Sequence, residues 1–347
     1  MIVTKNTCRI GPQNRSQGFV LILVLLIVVL LTALLLRFNY AARLGLHSSD
    51  SFHHSQQALY YAQGGLNLAI EAIRQGPDIE NNHLLRDLLG GSVTFTLGAG
   101  HCEVMLKDEN GKLNINRLLD KSERPDRDRI EQLLRLVDLI NGQYDQPILP
   151  YEFVPALLDW MDSDNQTTLL PYIRGKNRGA ESNYYETLSP PYRCRNAFCD
   201  MVSEILLIKG MTAQAFYGRR NRPEGSACRI GLSESLTVYG NGRININSAG
   251  KPVIQSLSES MNAALAQLII DRRSKKSFTT MAELREIPGM TGKVFAALTK
   301  TATLQSEDTY YKVTARGSSG VVETSIRAIL YRNESARHVE VIWYQES

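Results

Sequence analysis

No acidic residue stands in the first 18 positions, whereas Lys5, Arg9 and Arg15 do. A basic leader ahead of an apolar run marks the cytoplasmic side of a membrane segment. No A-x-A-like site closes that run; Arg37, Phe38, Asn39 and Tyr40 follow it. This excludes an ordinary secretory signal, whose shorter apolar core is cut away behind such a site. No proline interrupts the chain from Tyr40 to Gly76, so nothing of that kind stops a helix there. The chain has no G-x-S-x-G, no H-E-x-x-H and no P-loop pattern, and no catalytic residue or enzyme activity is expected. Histidine is scarce and scattered. His47, His53 and His54 fall on the helical stretch, expected in solvent, and His83, His101 and His338 stand alone. The formal net charge is only +4, and three of the cations lie in the leader. That leaves no basic footprint for nucleic acid.

What is present begins at Gly18, followed by FVLILVLLIVVLLTALLL from Phe19 to Leu36. Interrupted only by Thr32, the run is close to the roughly 20 residues that span a bilayer as a helix. One reading is a plain single-pass anchor. The other is a leader cut between Gly18 and Phe19, ahead of the apolar run, so that Phe19 becomes a new N-terminus and keeps its helix. Both place everything after about residue 40 across the membrane. The residues to Arg74 stay helix-compatible, with Ala58, Tyr61, Leu66 and Ile70 as an intermittent apolar stripe. One helix is predicted over 19–73, with Gly45 and Gly64–Gly65 as its weak points.

The far side of a membrane is oxidising, and cysteine use bears on that. Cys8 lies in the leader; Cys102, Cys194, Cys199 and Cys228 remain. Cys194 and Cys199 enclose four residues and are candidates for a local disulfide. Four cysteines allow three pairings, and the sequence does not choose among them.

Strand patterns lie at both ends. SVTFTLGAGHCEVMLKD (92–108) reads as a pair, KLNIN (112–116) alternates, and 309–317, 321–331 and 338–345 are three more strands with tight connections. The middle reads helical. In 126–140, Ile130, Leu133, Leu134, Val137 and Ile140 share one face, and Thr280 to Glu283 form a capping-box pattern. NGKLNINRL (110–118) is echoed by NGRININSA (241–249), and EILLIKGMT (204–212) by ELREIPGMT (283–291). A duplicated helical module accounts for this, the first copy lengthened by roughly 50 residues. The fold class is therefore α+β: a transmembrane helix continuing into a helix packed on an antiparallel sheet, with a large all-α insertion.

Two constellations carry possible chemistry. Asp159, Asp162 and Asp164 in LLDWMDSDN, with Glu181 downstream, suit a hard cation such as Ca²⁺ that takes six to eight oxygens. There is no EF-hand loop, and the plain alternative is a solvated acidic loop. REIPGMTGKVFAA (285–297) looks like a helix-hairpin-helix turn. Arg272, Arg273, Lys275 and Lys276 lie nearby, but the second glycine is displaced to Gly292 behind Thr291.

Taken together, Gly18–Phe19, DENGKLNINRL (108–118), ALLDWMDSDN (156–165), GAESNYYETLSPPYRCRNAFCD (179–200), SEILLIKGMT (203–212) and GRININSA (242–249) resemble the general secretion pathway protein K family. That family is the large minor pseudopilin of type II secretion systems. The resemblance implies a leader over 1–18, removed by prepilin peptidase, with methylation of Phe19. It implies a transmembrane helix over 19–40 and a discontinuous pilin-like domain over 41–116 and 306–347. The inserted domain would cover 117–305, with two SAM-like helix-hairpin modules over about 117–240 and 241–305. It implies a single-pass inner-membrane subunit with its bulk in the periplasm, partnered by the I- and J-type minor pseudopilins at the pseudopilus tip. No nucleic acid or small-molecule substrate is expected. It also favours structural calcium on Asp162, Asp164 and Glu181, with Asp159 next. Pilin-like chains mostly carry Glu fifth after the cut, where this chain has Leu23. The alternatives are a tip minor pilin of a type IV pilus and, in another class, a membrane-anchored DNA-binding protein using 266–298.

Overall fold

The computed structural model describes residues 16–76, 82–173, 175–219, 229–305, 308–333 and 338–347, with backbone alone for 16–18. Lys5, Arg9, Arg15, Cys8 and Cys228 lie outside the described residues.

The absence of proline lets one helix, α1 (Ser16–Arg74), run 59 residues, roughly 90 Å at 1.5 Å per residue. The window of highest hydropathy near its start has no side chain buried, and that length and apolarity suit a membrane span. Burial begins only at Ala58 and continues at Ala62, Leu66, Ala69, Ala72 and Ile73. These positions recur every three or four residues and form one stripe. The stripe packs on a five-stranded antiparallel sheet, with the short helix α2 (His83–Gly90) lying in sequence between α1 and the first strand.

The sheet order is β1 (Ser92–Leu97), β2 (Gly100–Asp108), β3 (Asp308–Ser319), β4 (Val322–Asn333) and β5 (His338–Glu346). Cys102, Val104 and Leu106 of β2, Tyr311, Val313 and Ala315 of β3, and Ile326, Ala328 and Leu330 of β4 turn the same way, into the core under α1. Period-two alternation puts their neighbours on the opposite face. Gly64–Gly65 is not a break in α1. A Cβ at Gly65 would meet the Cys102 Sγ at 2.3 Å, so the missing side chain serves close packing. His54 is not in open solvent: its Nδ1 lies 2.8 Å from the Ser319 Oγ.

A Cβ at Gly317 would meet Ala58 O at 1.9 Å, and one at Gly65 would meet the Ala315 side chain. β3 therefore runs back along α1 toward the apolar run. Its first residue, Asp308, stands at the end of the sheet farthest from that run. The long helical segment between β2 and β3 leaves from this same far end. Asn110 staples its two connections: the Asn110 Nδ2 donates to Asp308 O at 2.7 Å, and Tyr310 N donates to the Asn110 Oδ1 at 2.9 Å.

The sequence pattern at 112–116 suggests a strand, yet only Leu113–Asn114 is extended. It pairs in parallel with Leu236–Thr237, outside the large sheet. The cause is local. The Asn114 Oδ1 accepts from Asn116 N at 2.9 Å, which turns the chain into the short 3-10 helix Ile115–Arg117.

The repeat has a matched counterpart at every step. Ile244–Asn245 pairs in parallel with Ala302–Thr303, and the Asn245 Oδ1 accepts from Asn247 N at 3.0 Å. Asn116 and Cys199 exchange side-chain and backbone hydrogen bonds, both at 2.9 Å. Asn247 and Phe278 do the same, again at 2.9 Å. Gly210 and Gly289 both take positive φ, +86° and +89°. Thr212 and Thr291 then each cap the next helix through their Oγ1. Each copy closes its own hydrophobic core, one built on α3 (Arg127–Asn141) and α4 (Phe153–Met161), the other on the helix Ala263–Lys275.

Candidate metal centre

Every residue of α4 is buried, so Asp159, in its last turn, is carried into the interior by its helix. Asp162 follows at the C-terminal end of α4, and Glu181 enters from the loop before Ser182–Tyr185. The three carboxylates each present an oxygen within 4.8 Å of the others. Their relative exposures are 0, 9 and 3%, which removes water as their general partner.

Part of this acidity is answered locally. The Asp159 Oδ1 accepts from Thr168 N at 2.7 Å. The Asp159 Oδ2, the Asp162 Oδ1 and both Glu181 carboxylate oxygens have no hydrogen-bond partner. Buried carboxylate oxygens without a donor are costly. Burial, and then the neighbouring carboxylates, push Asp162 up to about 7 and Glu181 up to about 7. Asp159 is also raised, chiefly by burial. Beside Asp159 on α4, the Trp160 ring meets Tyr185 edge-on at 5.2 Å, with Tyr192 stacked on Tyr185 at 5.3 Å.

Three convergent oxygen donors with orphaned atoms fit a hard cation of the Ca²⁺ class. They lack the nitrogen and sulfur donors that zinc prefers. Asp164 is not brought into the cluster. It is exposed, its Oδ1 caps Gln166 N at 2.6 Å, and it acts on Asp162 and Glu181 through its charge.

Four positions that the sequence did not mark as part of a site shape the centre. Gly179 allows the loop to pass over α4, since a Cβ there would meet the Asp159 Oδ2 at 2.1 Å. Thr168 supplies the bond to Asp159. The Glu123 Oε2 accepts from Ser163 Oγ at 2.6 Å, and the Asn196 Nδ2 donates to Asp164 O at 2.8 Å. Glu123 and Asn196 are the two non-glycine residues with positive φ among those described, 58° and 48°. Strained backbone held by its surroundings gathers at functional sites. No sequence signal marks the Glu123 and Asn196 contacts, because they join segments 30 or more residues apart.

Cys194 and Cys199 are buried and their thiols are free in this structure. The Cys194 Sγ donates to Asp159 O at 3.3 Å, tying the cysteine loop to the same helix end. Burial pushes both thiols up to about 12.

The helix-hairpin turn at 285–297 is formed, with Gly289 in the left-handed region and Thr291 capping Gly292–Thr301. Of its four nearby cations, Arg273 is engaged inside the fold and donates to Ile246 O.

The sequence model of the type II secretion system protein K family matches residues 111–218, and that of the helix-hairpin-helix motif matches 240–303. The chain is 31% identical over 304 residues to type II secretion system protein K of Pseudomonas aeruginosa, covering 82% of each. It is 26% identical to the Klebsiella pneumoniae protein of that name over 209 residues, covering 60% of this chain and 61% of the relative. Among solved structures it resembles a chain of the GspK–GspI–GspJ complex from the type 2 secretion system of enterotoxigenic Escherichia coli. The TM-score is 0.63 at 19% identity, over 86% of this chain and 99% of the other.

Proposed function

The chain belongs to the type II secretion system protein K family, and from that premise we propose that it occupies the tip of the pseudopilus, held by α1 in the inner membrane with its body in the periplasm. As a minor pseudopilin it is a structural part of the export machine. The observation that carries the tip placement is where the helical insertion attaches. It leaves the sheet at Asp108 and returns at Asp308, the end farthest from the apolar run. A second subunit stacked above would meet this mass, whereas at a filament end nothing stands there. Leu23 agrees with this reading. An intramembrane carboxylate is expensive unless paired, and a subunit without one lacks the pairing group that an ordinary shaft position calls for.

In this reading prepilin peptidase cuts between Gly18 and Phe19, Phe19 is methylated, and the I- and J-type pseudopilins pack beside the chain. Asp159, Asp162 and Glu181, with Asp164 at the rim, hold structural calcium. The ion supplies the positive charge that three buried carboxylates lack and fixes the loop from Asp162 to Glu181. Oxidation joining Cys194 to Cys199 would clamp the other side of that loop. Protonated buried thiols react slowly, so the bond would form before the domain closes.

Co-purification of the full chain in detergent with candidate I- and J-type partners tests the placement. Recovery of a stoichiometric three-protein complex is expected. A chain that stays alone, with both partners folded and in excess, overturns it.

A further inference from the structure

The outer face of the sheet, opposite α1, carries an arrangement the tip reading does not use. Register places Lys107 of β2 directly opposite Lys312 of β3, Lys312 opposite Ile329 of β4, and Ile329 opposite Trp343 of β5. These four side chains form one straight row across four strands. In the adjacent row Arg327 lies opposite Thr314 and Gln345, on the same face by period two. Lys107, Lys312 and Arg327 are exposed and Trp343 is half-buried.

Like charges directly opposite on antiparallel strands destabilise a sheet, and here Glu109 acts on Lys312 only through its charge, without an ion pair. Nearby cations have acids of their own: Arg316 pairs with Glu103 at 3.5 Å, and Lys112 with the buried Glu109. Lys107, Lys312 and Arg327 make no ion pair among the described residues. Although the Lys312 side chain as a whole is exposed, packing around its ammonium and, against the pull of Glu109, the charges of Lys112, Arg327 and Lys107 hold that group below its ordinary value. The cations therefore feel one another.

We propose that this face docks an acidic segment of a partner protein, whose carboxylates meet Lys107, Lys312 and Arg327 and whose apolar side chain packs on Trp343. Charge complementarity selects the occupant: three cations without an ion-pair partner among the described residues favour carboxylates, and a half-buried tryptophan in the same row favours a protein over a free anion. The inference needs only the sheet and holds whether or not the calcium reading does.

The test uses the full chain in detergent and a twelve-residue peptide probe of glutamates, serines and one phenylalanine. Tryptophan emission is the readout, and Trp343→Phe identifies the responding residue, since Trp160 is buried. A saturable emission change is expected at low salt, weakening as salt screens it. The double variant Lys107→Ala with Lys312→Ala should bind at least tenfold more weakly, and Arg327→Gln severalfold. Both variants should melt no earlier than the parent and keep its calcium response, which separates this result from any failure of the metal centre. The proposal falls if the variants bind equally well, if a glutamine version of the peptide binds as tightly, or if inorganic phosphate at equal charge displaces the peptide completely.

Discussion

At the scale of single residues, the metal centre is a matter of where carboxylates lose water. Asp159, Asp162 and Glu181 are raised above their ordinary values, the last two to about 7. The folded protein therefore binds protons that the unfolded chain has released. Without a cation, these groups impose no penalty below the unfolded carboxylate range near pH 4. The penalty grows as pH rises toward 7 and is constant above it. In chelator, the Tm is expected to fall from pH 4.5 to 7, and calcium should flatten that slope. A chelated sample whose Tm rises across the interval contradicts the sign. At a hundredfold excess over Kd, bound calcium contributes about 2.7 kcal/mol, a Tm rise of about 5–10 °C for a domain of this size. Asp162→Asn with Glu181→Gln should lose that rise, while Asp164→Ala, placed at the rim, should keep most of it. Differential scanning calorimetry with and without calcium decides between the two. The aspartates were visible in the sequence as a D-x-D pattern. Glu123 and Asn196 were not, since each acts through a contact between segments 30 or more residues apart, and Thr168 and Gly179 were not, since their contacts with Asp159 depend on how the loop after α4 folds back.

At the scale of elements, α1 was legible almost to its ends. A proline-free stretch with an apolar first half has few alternatives to helix, and the stripe from Ala58 to Ile73 then needs a sheet to cover it. The strands of the sheet were equally readable from their alternation. The segment 112–116 was not, because alternation cannot reveal that Asn114 will bond back to Asn116 N and end the strand. That asparagine chemistry recurs in both modules. Asn116 and Asn247 each tie a buried loop by a reciprocal pair of bonds, and losing such a side chain leaves backbone groups unsatisfied at about 1–3 kcal/mol apiece. Asn247→Ala should therefore lower the midpoint of urea unfolding clearly, and Asn116→Ala comparably. A negligible change at both positions would show that the matched loops do not depend on these bonds.

For the whole molecule, the question is how a subunit is confined to the end of a filament. Leu23→Glu supplies the intramembrane carboxylate that shaft-forming pilin-like chains carry. If that group alone excludes this chain from the shaft, gold-labelled filaments should show the variant along their length. If the insertion above the sheet suffices, labelling stays at the tip. Gly18→Val should abolish leader removal and leave a larger band on a gel; normal processing in that variant would disprove the cleavage site.

Composition and periodicity by themselves determined that this chain has one greasy anchor, a helix projecting from it, strands at both ends and a helical middle. These follow from local forces: helix propensity, side-chain alternation and the cost of apolar surface in water. Only the tertiary structure decided that the middle stands at the far end of the sheet, that three acids share one dry pocket while Asp164 stays outside it, and that Lys107, Lys312 and Trp343 fall in one row. Those outcomes depend on register and on contacts between segments far apart in the chain, which no local preference encodes.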